Sequence, residues 1–226
     1  MGTMLAFDYD YQKKPYRRKN SKKPYLFLLL FFLLFCIAVY ALRNITYSPA
    51  TFSLIGINII IFILITQGKL DVYNMTTSYS TTLQRREYYR IASSAFSHQE
   101  VWHILMNMMS LYNLGTVLES FMGTRLFIIA YIIIMIVGGL LSNLVHKKFD
   151  PYVNSLGASG VLCGLLGIYL VIVVRLWGIG GLRSCAMSLI FLVGMIFTKR
   201  IDNIAHFTGL VTGVIFGILM INGIFI

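Results

Sequence analysis

Residues 157–174 read GASGVLCGLLGIYLVIVV, an apolar run that opens with a serine between small residues. At a rise of 1.5 Å per residue, a helix of this length approaches the thickness of the hydrocarbon core of a bilayer. The run therefore predicts a membrane-spanning helix with Ser159 in its first turn. A serine beside glycines is ordinary packing in most such helices, so this stretch indicates the fold class before it indicates a function.

The composition places the whole chain in a membrane. The chain has 226 residues, of which 58% are hydrophobic and 12% charged, whereas a soluble domain has about 25% charged residues. The net charge is +11, but seven of the nineteen basic residues lie between Lys13 and Lys23, directly before the first apolar run. A basic flank of this kind suits anionic lipid headgroups, so we expect the lipid bilayer as a partner and no nucleic acid.

The apolar runs predict an all-α membrane bundle of seven spans with short connections. We expect these spans at 25–42, 50–66, 102–119, 126–146, 157–174, 184–198 and 204–225. They divide the chain into a basic polar tail (1–24), an extra N-terminal transmembrane helix (25–43) and a six-helix core (50–226). A long amphipathic loop, 67–101, separates the second and third spans, and short interfacial helices are expected in it.

Polar side chains are costly inside a span, so each one is a functional candidate. His103 and Asn107 lie four residues apart, on one face of the third span. By themselves they suit hydrogen bonds between helices as well as they suit a site. His146 and His98 are expected at the membrane interface.

Ser159 and His206 lie on spans with matching glycine stripes. Glycines follow Ser159 at 160, 164 and 167, and glycines follow His206 at 209, 213 and 217. Stripes of small residues let two helix backbones approach closely. In a chain of seven consecutive spans, the third, fifth and seventh run in the same direction. His103, Ser159 and His206 therefore lie at a similar depth, and packing of the two stripes brings Ser159 to His206.

This arrangement has the parts of a serine hydrolase. The imidazole of His206 can accept the proton of Ser159, which makes the hydroxyl a nucleophile. Asn107, His103 and the backbone N–H of Ser159 can donate hydrogen bonds to the oxyanion of a tetrahedral intermediate. Asp202 is expected too close to the surface to orient the base, so we predict a Ser–His dyad.

With these motifs, the chain resembles the rhomboid family of intramembrane serine proteases over roughly residues 50–226. The resemblance depends on the order and spacing of several motifs, each weak alone: Gly157-Ala158-Ser159-Gly160, His103-x-x-x-Asn107, Ala205-His206-x-x-Gly209, Tyr89-Arg90, Glu119 and His98.

The resemblance implies a role for each residue of these motifs. Ser159 is the nucleophile, His206 is the base, and His103 and Asn107 line the oxyanion site. The residues expected to support this structure are Gly157, Gly160, Gly209, Gly213, Glu119 and Arg90. The substrates are then single-span membrane proteins, cut in or near their transmembrane segments, and neither a cofactor nor a metal is needed. One departure is Cys163, which stands where the family often has an aromatic residue stacked on the catalytic histidine.

The charge distribution conflicts with the usual orientation of this family. Fifteen of the nineteen Lys and Arg residues lie on the side of the tail, which is also the side of the candidate site. The positive-inside rule places that side in the cytoplasm, whereas the usual orientation places the active site outside. Either the core is inverted, which the charge favours, or 25–42 does not cross the membrane.

Three other functions were weighed. A catalytically silent relative that binds and routes membrane helices is the main alternative, although such proteins usually lack the serine or the histidine. A transporter needs ionisable groups near mid-span, and the spans have almost none. Zinc proteolysis is disfavoured because no HExxH motif occurs. We expect a bacterial plasma membrane as the location, with an organelle membrane as the alternative.

Overall fold

The computed structural model describes residues 23–185 and 202–224. Within these residues the chain forms nine α-helices, which we name α1 (Lys23–Leu42), α2 (Pro49–Thr66), α3 (Tyr89–Ser94), α4 (Val101–Ser110), α5 (Thr116–Met122), α6 (Thr124–Ile133), α7 (Gly139–Phe149), α8 (Ser159–Trp177) and α9 (Asn203–Ile221). In the same part of the chain, β structure is limited to one antiparallel bridge between Thr77 and Ser155. The prediction of an all-α bundle is therefore confirmed.

Two of the predicted spans are each built from a pair of helices joined by a π-helical turn. Leu111–Gly115 joins α4 to α5, and Ile134–Gly138 joins α6 to α7. The long loop before α4 contains a 3-10 turn (Val72–Asn74), a π-helical turn (Tyr79–Gln84) and α3. Short helical segments are thus present where the sequence predicted them.

Four helical stretches of the described chain are long and apolar enough to cross a membrane: Pro49–Thr66, Thr124–Phe149, Ser159–Trp177 and Asn203–Ile221. The predicted span at 102–119 is helical, and α1 covers the predicted span at 25–42. The span predicted at 184–198 lies almost wholly outside the described residues, as does the tail. The count of seven spans stays a prediction.

The helix ends follow from local sequence signals. Pro49 begins α2, where its missing N–H costs nothing because that position has no intrahelical acceptor. Asp202 caps α9 by accepting a hydrogen bond from the N–H of Ala205. Gly123, with φ +80°, separates α5 from α6 in a conformation that side chains with a Cβ rarely adopt.

The core lies around α8. This helix is the most deeply buried of the four apolar stretches. Its neighbours include α9, α4, α6 and the π-helical turns. The largest apolar side chains that are fully buried around it are Leu111, Leu118, Phe127, Ile134, Leu165 and Ile168. The α1 helix contacts α2 and α3, and its Phe35 is buried.

Candidate active site

Ser159 and His206 are in direct contact. Ser159 is the first residue of α8 and His206 lies in the first turn of α9. The distance between Ser159 Oγ and His206 Nε2 is 2.7 Å, a good hydrogen bond for an O–H donor. His206 is buried, and Ser159 is partly exposed. This pairing is what the activation of a serine hydroxyl by an imidazole requires.

The two helices reach this distance through their glycine stripes. A Cβ added to Gly209 would lie 2.0 Å from the carbonyl oxygen of Gly160, and one added to Gly213 would lie 1.8 Å from that of Gly164. No larger residue fits without moving a backbone, since real Cβ atoms essentially never approach within 3.0 Å. The glycines predicted to form smooth faces thus pack backbone against backbone beside the dyad.

Among the described residues, no carboxylate orients His206. Its Nδ1 atom is buried and has no hydrogen-bond partner in that part of the chain. Asp202, four residues earlier, accepts hydrogen bonds from His146 and from the backbone of Ala205 instead. In the described chain the Ser159–His206 contact therefore has no third, acidic member.

Of the predicted oxyanion residues, His103 lies next to the start of α8. Gly157 has φ +99°, and a Cβ there would come within 2.6 Å of the His103 ring, so glycine is required on both counts. Asn107 is buried, and its side-chain amide donates a hydrogen bond of 2.8 Å to the carbonyl of His103. Ser159 is the first residue of a helix, where backbone N–H groups lack an intrahelical acceptor. The His103 ring therefore lies beside this helix start, and Asn107 is hydrogen-bonded to the backbone of His103.

His98, predicted at the membrane interface, is fully buried within the protein, and its depth in the membrane stays a prediction. Its ring packs edge-on against His103, with 5.0 Å between the ring centroids, and its Nε2 lies 3.4 Å from the backbone nitrogen of Ala158. Burial, together with the nearby His103, lowers the pKa of His98 to about 3. His98 is thus uncharged at neutral pH, and it contacts His103 and the backbone of Ala158 from the loop before α4.

Glu119 and Arg90 stabilise parts of the scaffold other than the Ser159–His206 contact. The carboxylate of Glu119 accepts hydrogen bonds from the N–H groups of Ala50 and Thr51 at the start of α2 and from the hydroxyl of Thr124. Arg90 is buried, forms an ion pair with Glu87, and donates to two carbonyl oxygens of the 67–101 loop. Both are positioned as supports for loops and helix ends.

A further buried group escaped the sequence reasoning. His146, also predicted at the membrane interface, is buried within the protein, and its Nε2 lies 2.9 Å from Asp202 Oδ1. Ser155 donates a hydrogen bond to the same carboxylate. The sequence signal for this buried group was Asp202, which stands three residues before Ala205 as a helix cap and four residues before His206.

Among the described residues, no group of three or more His, Cys, Asp or Glu side chains is arranged to hold a metal. Cys163, one turn after Ser159, is a free and buried thiol. It fills the position where an aromatic side chain was expected from the resemblance.

Comparison with known proteins identifies the family. A family model described as the Rhomboid domain matches residues 85–223, more than half of the chain. RHOMBOID-like protein 1 of Arabidopsis thaliana is 32% identical over 68% of this chain and 38% of its own length. Rhomboid protein 1, mitochondrial, of Saccharomyces cerevisiae is 43% identical over 35% of this chain and 23% of its own length.

A third relative has a name that includes an activity. Rhomboid protease GluP of Bacillus subtilis is 27% identical over 59% of this chain and 26% of its own length. The chain spans less than half the length of all three relatives. They come from bacterial and mitochondrial sources among others, and the helices described above are apolar enough for a bilayer. The chain is an integral membrane protein and belongs to the rhomboid family.

Proposed function

We propose that this protein is an intramembrane serine endopeptidase, with Ser159 as the nucleophile and His206 as the general base. The observation that carries the proposal is the hydrogen bond of 2.7 Å between Ser159 Oγ and His206 Nε2. A serine that served only in helix packing would not require an imidazole as its hydrogen-bond partner. The protease named among the relatives supports the same reaction class.

The reaction follows from these positions. Ser159 Oγ attacks the carbonyl carbon of the scissile peptide bond while its proton passes to His206 Nε2. The carbonyl oxygen becomes an oxyanion, and Ser159 N–H, Asn107 and His103 are its donors. His206 then gives the proton to the leaving amine, and the C–N bond breaks to leave an acyl-enzyme. Water then attacks the ester as its proton passes to His206, and that proton returns to Ser159 Oγ when the ester C–O bond breaks and the acid product leaves.

The substrates are single-span membrane proteins. The dyad lies at the ends of two apolar helices, so a peptide reaches it from the bilayer or its interface. Asn107 must redirect its amide from the His103 carbonyl, or use its second N–H, to reach an oxyanion. For location we propose a bacterial plasma membrane, with the seven-span arrangement and the active site on the side of the basic tail.

The test is labelling of the detergent-purified protein with a fluorophosphonate, which forms a covalent bond with an activated serine, alongside cleavage of a single-span substrate. We expect wild type to be labelled and active, and Ser159→Ala and His206→Ala to lose both signals. Ser53→Ala is the control, because Ser53 is also a helical serine but is buried, and in the described chain its hydroxyl bonds its own helix, at the carbonyl of Pro49. It should keep both signals.

Two results would contradict the proposal. Labelling that survives in Ser159→Ala would place the reactive serine elsewhere. A folded wild type that is neither labelled nor active would indicate the silent relative, which binds membrane helices without cutting them.

A further inference from the structure

The carboxylate of Asp202 joins three separate parts of the chain. It accepts hydrogen bonds from His146 Nε2 at 2.9 and 3.0 Å, from the Ala205 N–H at 3.0 Å, and from the Ser155 hydroxyl. His146 lies in the last turn of α7, and Ser155 lies in the connection 150–158 between α7 and α8. We call Asp202, His146 and Ser155 the Asp202 cluster. Its contacts fasten the start of α9 to the end of α7 and to the connection.

Two members of the Asp202 cluster each lie four residues from a member of the dyad in sequence. Ser155 precedes Ser159 by four residues, and Asp202 precedes His206 by four. The backbone N–H of His206 also donates to the carbonyl of Asp202 at 3.2 Å. A displacement of Asp202 is therefore passed directly to the residue that carries the base.

The connection on the other side of the Asp202 cluster is itself held in place. The backbone of Ser155 exchanges two hydrogen bonds with Thr77, at 3.0 and 2.8 Å. Two residues further on, the N–H of Gly157 donates to the carbonyl of Ser94 at 2.8 Å. The Ser155 hydroxyl thus ties α9 to a fixed strip of backbone that leads into Ser159.

The dyad needs such a tie for two reasons. The Nδ1 atom of His206 has no acceptor among the described residues, so the ring is not held from its far side. The glycine seam between α8 and α9 sets how close the helices lie, but glycines offer no side chains to stop one helix sliding along the other. Hydrogen bonds to a carboxylate are stronger than neutral ones and can supply this restraint.

We propose that Asp202 is a positioning residue for the dyad, acting with His146 and Ser155 to hold Ser159 and His206 at hydrogen-bonding distance. The inference rests on the proposed protease function. The Asp202 cluster does through the backbone of α9 what the acid of a catalytic triad does through the imidazole ring. It takes no part in proton transfer.

The test measures turnover per active site. Fluorophosphonate titration counts competent enzyme, so unfolding lowers the titre, whereas misalignment lowers the labelling rate constant and kcat. We expect Asp202→Asn and Ser155→Ala to lower both rates by about 10- to 100-fold, the scale for displacements near 1 Å, with KM unchanged. Asp71→Asn is the control, since Asp71 also caps a short turn by accepting a hydrogen bond from a backbone N–H, that of Tyr73, outside the Asp202 cluster.

His146 provides a conservative rescue. Glutamine can place its amide nitrogen where His146 Nε2 lies, whereas leucine offers no donor. We therefore expect His146→Gln to stay within about 3-fold of wild type and His146→Leu to fall with Asp202→Asn. Ser155→Ala and Asp202→Asn both disrupt the same hydrogen bond. The double variant should therefore lose little more activity than the worse single variant.

Several outcomes would overturn the proposal. Wild-type rates per titrated site in Asp202→Asn and Ser155→Ala would reduce the cluster to a stability role, as would additive losses in the double variant. If Asp202→Asn does not fold, Ser155→Ala decides, because it keeps Asp202 and its other two donors. Failure of the protease function is distinct, since wild type itself would then give no titratable serine.

Discussion

Replacement of Gly209 by alanine is the sharpest perturbation that the site offers. Gly209 lies three residues after His206 in α9 and faces Gly160, the residue after Ser159. The new Cβ would lie 2.0 Å from the carbonyl oxygen of Gly160 and 2.9 Å from its carbonyl carbon. Both atoms belong to a helix backbone, so no side-chain rotation can relieve the overlap.

The size of the effect follows from that distance. Real Cβ atoms essentially never lie within 3.0 Å of another heavy atom, so α8 and α9 must separate locally by about 1 Å. A similar displacement of the dyad lengthens its hydrogen bond from 2.7 Å to well beyond 3 Å, where O–H donors no longer bond well. Loss of 1 Å in placement costs about 100-fold in rate, and overpacking costs about 1–3 kcal/mol of stability.

The assay combines the fluorophosphonate labelling rate, cleavage of a single-span substrate, and unfolding in mixed micelles. Gly56→Ala is the matched control, because Gly56 lies within α2 and a Cβ there meets nothing within 4 Å. Alanine is the better helix former, so Gly56→Ala should gain about 0.5–1 kcal/mol of stability at unchanged activity.

A Gly209→Ala variant that labels and cleaves at the wild-type rate would refute this reasoning, because the helices would then tolerate separation without loss of the dyad. Equal losses in Gly209→Ala and Gly56→Ala would also refute it, since the effect would then come from helix chemistry and not from the seam.

Three further predictions test other parts of the site. Asn107→Ala should lower kcat by roughly 10- to 1000-fold with a normal amount of folded protein, the scale for one oxyanion donor, and an unchanged kcat would remove that role. Glu119→Gln should lower the free energy of unfolding by about 2–4 kcal/mol, because a buried acceptor of four hydrogen bonds then points an N–H₂ at a donor; denaturant titration in micelles measures it. Burial keeps the pKa of folded His98 near 3, so only the unfolded chain binds a proton at this residue below pH about 6.5. Stability should therefore fall by about 2 kcal/mol more in wild type than in His98→Gln between pH about 7.5 and about 5, and parallel pH profiles would contradict this.

The sequence predicted the helices well and their ends less well. The helices α2, α8 and α9 were predicted because each contains an apolar run long enough to cross a membrane. The run at 157–174 was assigned a helix from its first glycine, but Gly157 has φ +99° and α8 begins at Ser159. At the other end α8 continues to Trp177, because Arg175 interrupts the apolar count while being a good helix former.

Local sequence has no signal for the π-helical turns. The turn Ile134–Gly138 lies inside an unbroken apolar run. Its last residue is in close contact with α9: a Cβ on Gly138 would lie 3.2 Å from Gly209 Cα, and the Thr208 hydroxyl donates to the Gly138 carbonyl at 3.0 Å. These features depend on a helix about 70 residues away in sequence.

The dyad was predictable and the Asp202 cluster was not, for a related reason. Ser159 and His206 carry matching glycine stripes, a periodic signal that reports the packing of one helix on another. His146 and Ser155 carry no such pattern, and each meets Asp202 across about 50 residues of chain. A histidine at the end of a span carries no sequence signal for a partner that the fold brings to it from a distant part of the chain.

The position of Cys163 links these observations. In the resemblance, an aromatic side chain at this position steadies the base by stacking, but a buried thiol has little surface to offer. Since His206 Nδ1 also lacks an acceptor in the described chain, the ring depends on the placement of its own helix. The glycine seam sets the separation of α8 and α9, and the Asp202 cluster restrains their sliding. A site with little direct support for its base therefore needs stronger support for the helix that carries the base.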